Sequence, residues 1–588
     1  MTTLRSHLGL FWSLVLFTAI GLRLGPAVHG QIAGLNGQAG AEDASAGELN
    51  TLAVVAAERY DQLVKDVSFL GQVVGKPELG QMVEGGFAFF TQGKGPDAID
   101  KTKPWGVIVM TDGAQLLPIG CLPVTKLSDL LDVARAYQIE VRDVGDGITE
   151  LAHPQRPLYV KEDGGWAFIG PSPESLAQLP ENPQAILTSL ASEYDVGVSF
   201  SVKDIPEMYR QLILSWIQGG MQQALTQKPD ESDEQYAARQ EWAQAQLDEI
   251  KRVIEELDSL RIGWTIDADT QKTYLDVIVR AVPDSRMARE LAAYGGAKTN
   301  FAGFYQRDAA ATMIFVNRAD PDLVQQDQEK LDAAMATARE QFFNAFDENA
   351  QIPAELRDDI RAAAGDWFDA FAATLKTGQM DGGAALHLSP DAMTLVAGTL
   401  VKDTAKFESG LKKLEAAARE KSDGFSGIQW NAASHAGVKF HTLTVPVKQE
   451  QAGPRKLLGE EAQIAIGIGP EAVYLAVGRD HLEAVKTAID ASAANRGKAV
   501  PPFELVVSAT PIAQVLADQA DEGPQKRIAE SVATMLRLEA QGRDHVRVAS
   551  EAIPNGLRSR FEVEEGVLKA IGKVSAEQQR QVQQASQQ

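Results

Sequence analysis

The 588-residue chain carries one cysteine, Cys121, so no disulfide can close within it. Stability must come from packed cores, which a chain of this length can build without covalent staples. The neighbours Leu116, Leu117, Ile119 and Leu122 are apolar, and Cys121 reads as a core thiol. Long hydrophobic runs are also missing: past residue 30 nothing approaches the roughly 20 residues that span a bilayer, so no integral membrane segment is expected there. Positive charge is short as well. Lys and Arg number 56 against 80 Asp and Glu, a formal charge of −24, which makes nucleic acid and anionic lipid surfaces poor partners.

What is present begins at the N-terminus. Met1 to His7 holds a single Arg, an apolar stretch of 15 residues runs from Leu8 to Leu22, and Gly25, Pro26 and Val28-His29-Gly30 follow. This is the layout of a secretory signal peptide cut before Gln31. Export to the periplasm or the extracellular space is therefore expected. An uncleaved N-terminal anchor is the alternative, because Arg23 follows the apolar stretch as a membrane flank would. Cleavage removes Arg5 and Arg23 and no acid, taking the formal charge from −24 to −26. Residues 31–48, rich in Gly, Ala and Gln, read as a flexible leader ahead of a first helix. Ser575 to Gln588 reads as a frayed helix end or a disordered Gln-rich tail.

Between these ends the same series of elements recurs. Gly106 to Gly120 matches Gly383 to Gly398 as strand, tight turn, strand, and helices follow at Lys126–Tyr137 and Asp403–Arg419. Leu158 to Gly170 matches Ile464 to Gly478 as a hairpin ending in Gly. Val196 to Lys203 matches Phe503 to Ala509 as a strand leading into a helix, with Pro206 and Pro511 near the helix starts. A closing hairpin pairs the alternation Leu260, Ile262, Trp264, Ile266 with Leu557, Ser559, Phe561, Val563. Alternation of period two marks sheets with one buried face, and the connections are meanders rather than parallel crossovers. The expected fold is α+β: two tandem diverged copies of one antiparallel meander unit with packed helices, spanning 49–305 and 306–574. A helical region from Asp320 to about Lys376 is expected to open the second copy.

The first copy adds a long helical hairpin. Ile205, Met208, Tyr209, Leu212, Ile213, Trp216, Ile217 and Met221 form one apolar stripe at helical spacing. After Lys228-Pro229-Asp230-Glu231, a capping box at Ser232 and Gln235 starts a second helix whose seam is Tyr236, Gln240, Ala243, Leu247, Ile250, Ile254 and Leu257. Either the stripes pack on each other and the sheet, or the pair projects as an arm for dimerisation, partner binding or an apolar ligand.

No catalytic motif survives inspection. Gly467-Ile-Gly469-Pro-Glu-Ala472 has dinucleotide-loop spacing, but a strand follows it where the phosphate would need a helix N-terminus, so it reads as a hairpin turn. His435 and His441 would share a face on one continuous strand, with no third metal ligand apparent nearby. His387 falls opposite Met110 in the repeat, and His481 lies at a charged helix start. Asp267 and Asp269 flank a turn and could offer oxygens to calcium, though Asp in turns commonly serves the backbone. Ser172, after Gly170, lacks the second Gly of a nucleophile elbow and reads as a helix cap, with Asp480 near the equivalent place. No cofactor, metal or catalytic residue is assigned.

This organisation, an export signal followed by a repeated unit with Gly-ended hairpins, resembles exported proteins of unknown function seen in planctomycete-type bacteria. The resemblance implies an exported protein and carries no activity or site residues with it. The sequence points away from an enzyme, towards a cell-envelope binding or scaffold protein with a protein partner or a homodimer. A carrier of an apolar ligand or lipid held by the Ile205–Met221 stripe is the alternative, and a hydrolase with an unrecognised site is the third reading.

Overall fold

The computed structural model describes residues 49–90, 98–113, 115–136, 138–152, 157–227, 232–347, 354–421 and 426–585. The N-terminal apolar segment, the expected leader up to residue 48 and residues 228–231 lie outside these.

The chain is α+β. It opens with β1 (Asn50–Ala57), α1 (Tyr60–Val73), α2 (Glu78–Phe90), β2 (Trp105–Thr111), β3 (Leu116–Pro123) and α3 (Leu127–Ala136). Next come β4 (Glu140–Gly145), β5 (Ile148–Ala152), β6 (Leu158–Asp163), β7 (Trp166–Gly170), α4 (Pro183–Ala191) and β8 (Val196–Ser201). The helical hairpin α5 (Glu207–Ala224) and α6 (Asp233–Glu256) leads into β9 (Leu257–Asp267) and β10 (Lys272–Ala281). α7 (Arg286–Ala292) and β11 (Lys298–Thr299) form the connection between halves.

The second half runs β12 (Ala311–Arg318), α8 (Pro321–Gln326), α9 (Gln328–Asp347), α10 (Ala354–Leu375), β13 (Gln379–Ser389), β14 (Ala392–Leu400) and α11 (Thr404–Lys421). It continues with β15 (Gln429–His435), β16 (Val438–Pro446), α12 (Ala452–Leu458), β17 (Glu461–Ile468), β18 (Ala472–Gly478), α13 (His481–Ala494), β19 (Lys498–Ala499) and β20 (Phe503–Ser508). It closes with α14 (Ala509–Gln519), α15 (Pro524–Glu539), β21 (His545–Ile553), β22 (Gly556–Glu564) and α16 (Glu565–Ala585).

All strands but the small β11–β19 ladder join one antiparallel sheet of 20 strands. In the first half the order is β4-β5-β6-β7-β3-β2-β1-β8-β9-β10. In the second it is β15-β16-β17-β18-β14-β13-β12-β20-β21-β22, the same order of equivalent strands. The halves meet where β10 pairs with β22, antiparallel. Asp276 and Arg560 face each other at the middle of that junction, joined by two hydrogen bonds of 2.7 Å, with the guanidinium 3.9 Å from the centre of the Tyr274 ring.

Two expectations need correction. Each half opens on a strand, β1 or β12, rather than on helix, and the helical region from Asp320 lies between β12 and β13. Leu260–Ile266 belongs to β9 and Leu557–Val563 to β22, whereas by position in the strand order β9 corresponds to β21 and β10 to β22. All four strands alternate, so period alone could not fix which was which. The Gln-rich C-terminal stretch takes the helical form of its two expected ones, continuing α16 to Ala585, because Gln, Glu and Ala are good helix formers.

One sheet face carries the main cores. In the first half Val54, Ile108, Met110, Ile119, Cys121, Trp166 and Phe168 pack under α4 through Leu187 and Leu190. In the second, Ala385, Val396, Phe440, Ala465 and Ala476 pack under α13 through Val485, Ala488 and Ile489, with Phe301 and Phe304. α4 starts where Asn182 accepts the Ala185 N–H at 2.9 Å and Pro183 takes the first turn. The opposite face is covered unevenly, by α1 and α16 around Val563 and by the start of α5 around Leu257. Among the described residues no helix is long and apolar enough to cross a membrane.

Candidate functional site

The end of β1, the start of β8 and the end of β9 converge on one edge of the sheet, and α1 closes over them. Glu58 follows β1, Asp195 precedes β8, and Asp66 sits on the inner side of α1; their carboxylate oxygens lie within 4.8 Å of one another. Asp66 and Asp195 are only 2% and 3% exposed. They line a cleft of ≈ 650 Å³ whose other walls include Arg59, Lys65, Glu193, Tyr194, Asp267 and Asp269.

Two of these carboxylates accept hydrogen bonds, one from a backbone N–H and one from a side-chain amide, and the main chains of Glu58 and Asp195 are joined directly. The Glu58 N–H donates to the Asp195 carbonyl at 2.8 Å, the Ile266 N–H donates to Asp195 Oδ2 at 2.6 Å, and Gln62 Nε2 donates to Asp66 Oδ2 at 2.9 Å. Burial pushes all three acids up. Asp195 reaches about 7: burial is the main cause, the Ile266 N–H opposes it, and the hydrogen bond with Glu58 and the charge of Asp66 add to it. Asp66 is raised by burial and further by the charges of Asp267 and Asp269. The cluster is thus a carboxyl–carboxylate pair with a third acid beside it. It can share a proton, and its free oxygens are the hard ligands a divalent cation takes.

Sequence reading missed these three residues because 129 positions separate Asp66 from Asp195 and only the sheet brings them together. One local signal was there: Asp66 interrupts the α1 face of Leu63, Phe69, Leu70 and Val73, where a charge is out of place. Asp267 does serve its turn, accepting the Thr270 N–H at 2.9 Å as well as its hydroxyl. It also borders the acidic cleft.

The other candidates disperse. His435 ends β15 and bonds Asp490 at 2.7 Å, while His441 lies on β16, buried; they occupy two strands of one hairpin, not one continuous strand. His441 Nδ1 accepts the Asn431 N–H at 3.0 Å, its ring lies 4.6 Å from that of Trp430, and burial pushes its pKa down. Gly467 and Gly469 form the β17–β18 hairpin, with the Gly469 N–H donating to Ala472 O at 2.9 Å. Ser172 Oγ accepts the Ser175 N–H at 3.3 Å over a short 3-10 turn, Glu174–Leu176. Asp480 holds the N-cap position of α13 but makes no side-chain cap bond, its own backbone being left-handed at φ 54°. Cys121 is buried, which pushes its thiol up to about 12.

The Ile205–Met221 stripe divides. Ile205 is buried and Tyr209 packs with it against Leu52, Val202 and Leu257. Ile213, Ile217 and Met221 are half-buried, whereas Met208, Leu212 and Trp216 are 58%, 43% and 62% exposed. The sheet beside the arm is partly bare. Val107, Val55, Val198, Ile262 and the buried Val277 stand in one row across five strands, with Trp264, Leu275 and Phe561 in the next row of the same face. Val55, Val107, Leu275 and Phe561 are 40%, 37%, 39% and 46% exposed.

No family model, no curated protein and no solved structure matches the chain.

Proposed function

We propose that the protein is a non-catalytic binding or scaffold protein of the cell envelope, made by duplication of one meander unit and working through the apolar surfaces of its first half. The observation that carries this reading is the bare row on α5 next to the bare strip of sheet. Large apolar patches on a water-soluble surface mark places where another molecule sits. The common strand order supports the duplication. So does a shared detail: the chain leaving β8 donates Val202 N–H to Asp258 O at 2.9 Å, and the chain leaving β20 donates Ala509 N–H to Asp544 O at 2.8 Å. Export rests on the N-terminal layout from Met1 to Gly30.

Two features weigh against the other readings. The ≈ 650 Å³ cleft is lined by charged groups rather than by the apolar walls a lipid carrier needs. Asp195, its most perturbed acid, accepts the backbone N–H of Ile266 through its carboxylate, which is a structural use.

The test is site-specific photo-crosslinking in the native envelope from probes at Trp216, Leu275 and Phe561, with a control probe at the exposed Glu551. A discrete protein adduct from the three positions and not from the control is expected. Lipid adducts alone would replace this reading with the carrier, and no adduct at all would remove it.

A further inference from the structure

The two halves treat one position differently. By register, Val55 and Val107 in the first half correspond to Met313 and Ala384 in the second, the cross-strand pair one row in from the same neighbours. Met313 and Ala384 are half-buried, and α14 packs on β13. α5 occupies the place in the chain that α14 occupies in the second half, each following the strand beside β1 or β12. Yet α5 meets β2 at its first turn, where Tyr209 joins the cluster of Val109, and beyond that turn it packs against α6. The result is two unpartnered surfaces in one chain: a sheet strip that lacks its helix, and a helix row, Met208, Leu212 and Trp216, that lacks its sheet.

Resting on the binding reading above, we propose that the occupant is a second copy: the α5–α6 arm of each protomer lies across the Val107–Val55–Leu275–Phe561 strip of the other. The second half shows that a helix is what covers this part of the sheet. Dimensions agree: the 18 residues of α5 make a rod of about 27 Å, and the six strands from β2 to β22 span about 24 Å at the usual spacing.

The arm cannot serve its own sheet by rolling over. Ile205 and Tyr209 already anchor the first turn of α5 beside Leu52 and Leu257. Met208, Leu212 and Trp216 are spaced by four and form a row offset by about 100° from Tyr209 and Ile213. Turning that row onto the sheet would pull the anchors out of their core. An exchange between copies uses both surfaces at once, and because each copy gives an arm and takes an arm, the contact closes at two protomers instead of propagating. Doubling in this way also brings seven exposed large apolar side chains per copy under cover, a core of the kind found in interfaces that bury about 800 Å² per partner.

The experiment uses the mature chain with Trp216→Cys and Val107→Cys in a Cys121→Ser background, oxidised at micromolar concentration, together with sedimentation of the wild type. The expected results are a wild-type dimer and a disulfide that links two chains. The arm variant Met208→Glu/Trp216→Glu and the strip variant Leu275→Thr/Phe561→Ser should each sediment as monomers with unchanged far-ultraviolet circular dichroism. Mixed together they should form heterodimers, since one arm and one strip remain intact between them. A monomeric wild type, a disulfide closed within one chain, or folded variants that dimerise as well as wild type would overturn the exchange. A monomer that still gives a foreign-protein adduct at Trp216 and Phe561 would overturn the dimer and leave the broader binding reading standing.

Discussion

Gly263, in the middle of β9, has no room for a β-carbon: one placed there would come 2.3 Å from the Tyr194 ring, which lies flat across the strand and meets the cross-strand Gly197 as well. A strand glycine ordinarily weakens pairing, and here it admits an aromatic plate. Tyr194 then donates its hydroxyl to Asp276 at 3.2 Å, tying the residue before Asp195 to the charge pair at the junction of the halves. Gly263→Ala should cost about 1–3 kcal/mol, read from urea denaturation, because neither the ring nor the strand can move freely. Asp195 makes a second prediction at this scale. Its pKa in the folded protein, about 7, lies above that of an unfolded carboxylate. The folded form therefore holds the proton more tightly, and the associated stability is full below about pH 4 and is lost as pH rises through 7. Thermal melts should show the wild type losing stability between pH 5 and pH 8, by on the order of 1 kcal/mol from this cluster. Asp195→Asn keeps an acceptor for the Ile266 N–H but cannot ionise, and its melts should flatten across that range; an unchanged slope would place the titration elsewhere.

Among the elements, those with a period of their own were legible. The hairpins β2–β3, β6–β7 and β17–β18, the strands β8 and β20, and the helices α3, α5, α6 and α11 all stand where alternation or helical spacing put them. β1 and β12 were not legible, because five of the eight residues of Asn50–Ala57 are alanine or valine with no clean alternation, and its burial comes from β2 and β8 on either side. The division of the α5 stripe was also hidden: eight apolar residues at helical spacing say that a face exists, not that Met208, Leu212 and Trp216 are left outside. The acidic cleft needed the whole sheet before its members could meet. Another contact of this long-range kind is the cap after β20. Asp544, 4% exposed, accepts the Thr510 N–H at 2.6 Å and the Ser508 hydroxyl at 2.8 Å, holding α14 to β21. Burial works against its charge, but these bonds keep its carboxyl below the usual range. Asp544→Ala should cost about 1–2 kcal/mol in denaturant titrations, the range for a lost cap. Hydrogen exchange should show the loss first in α14.

For the whole molecule, what matters is that two halves with the same strand order form one sheet. β10 and β22 are paired over their full length, and each is the last strand of its half, so the junction is a backbone ladder rather than a docking of side chains. At its centre Asp276 is 1% exposed and takes both hydrogen bonds from Arg560, whose own side chain is 28% exposed and lies over Tyr274. Such a pair adds little over an apolar pair of the same shape, but removing Arg560 leaves the buried carboxylate with the Tyr194 hydroxyl and Arg558, 3.9 Å away, in place of two direct charged hydrogen bonds. Arg560→Met should therefore destabilise by about 3 kcal/mol, whereas Asp276→Leu with Arg560→Met should lie within about 1 kcal/mol of wild type. The location of the damage is the sharper test. If the ladder couples the halves, hydrogen exchange in β1–β10 and in β12–β22 should collapse together with denaturant in the wild type and separate into two transitions in Arg560→Met. Two transitions already present in the wild type would mean that each half is held by its own core under α4 or α13, with the shared sheet contributing shape but no cooperativity.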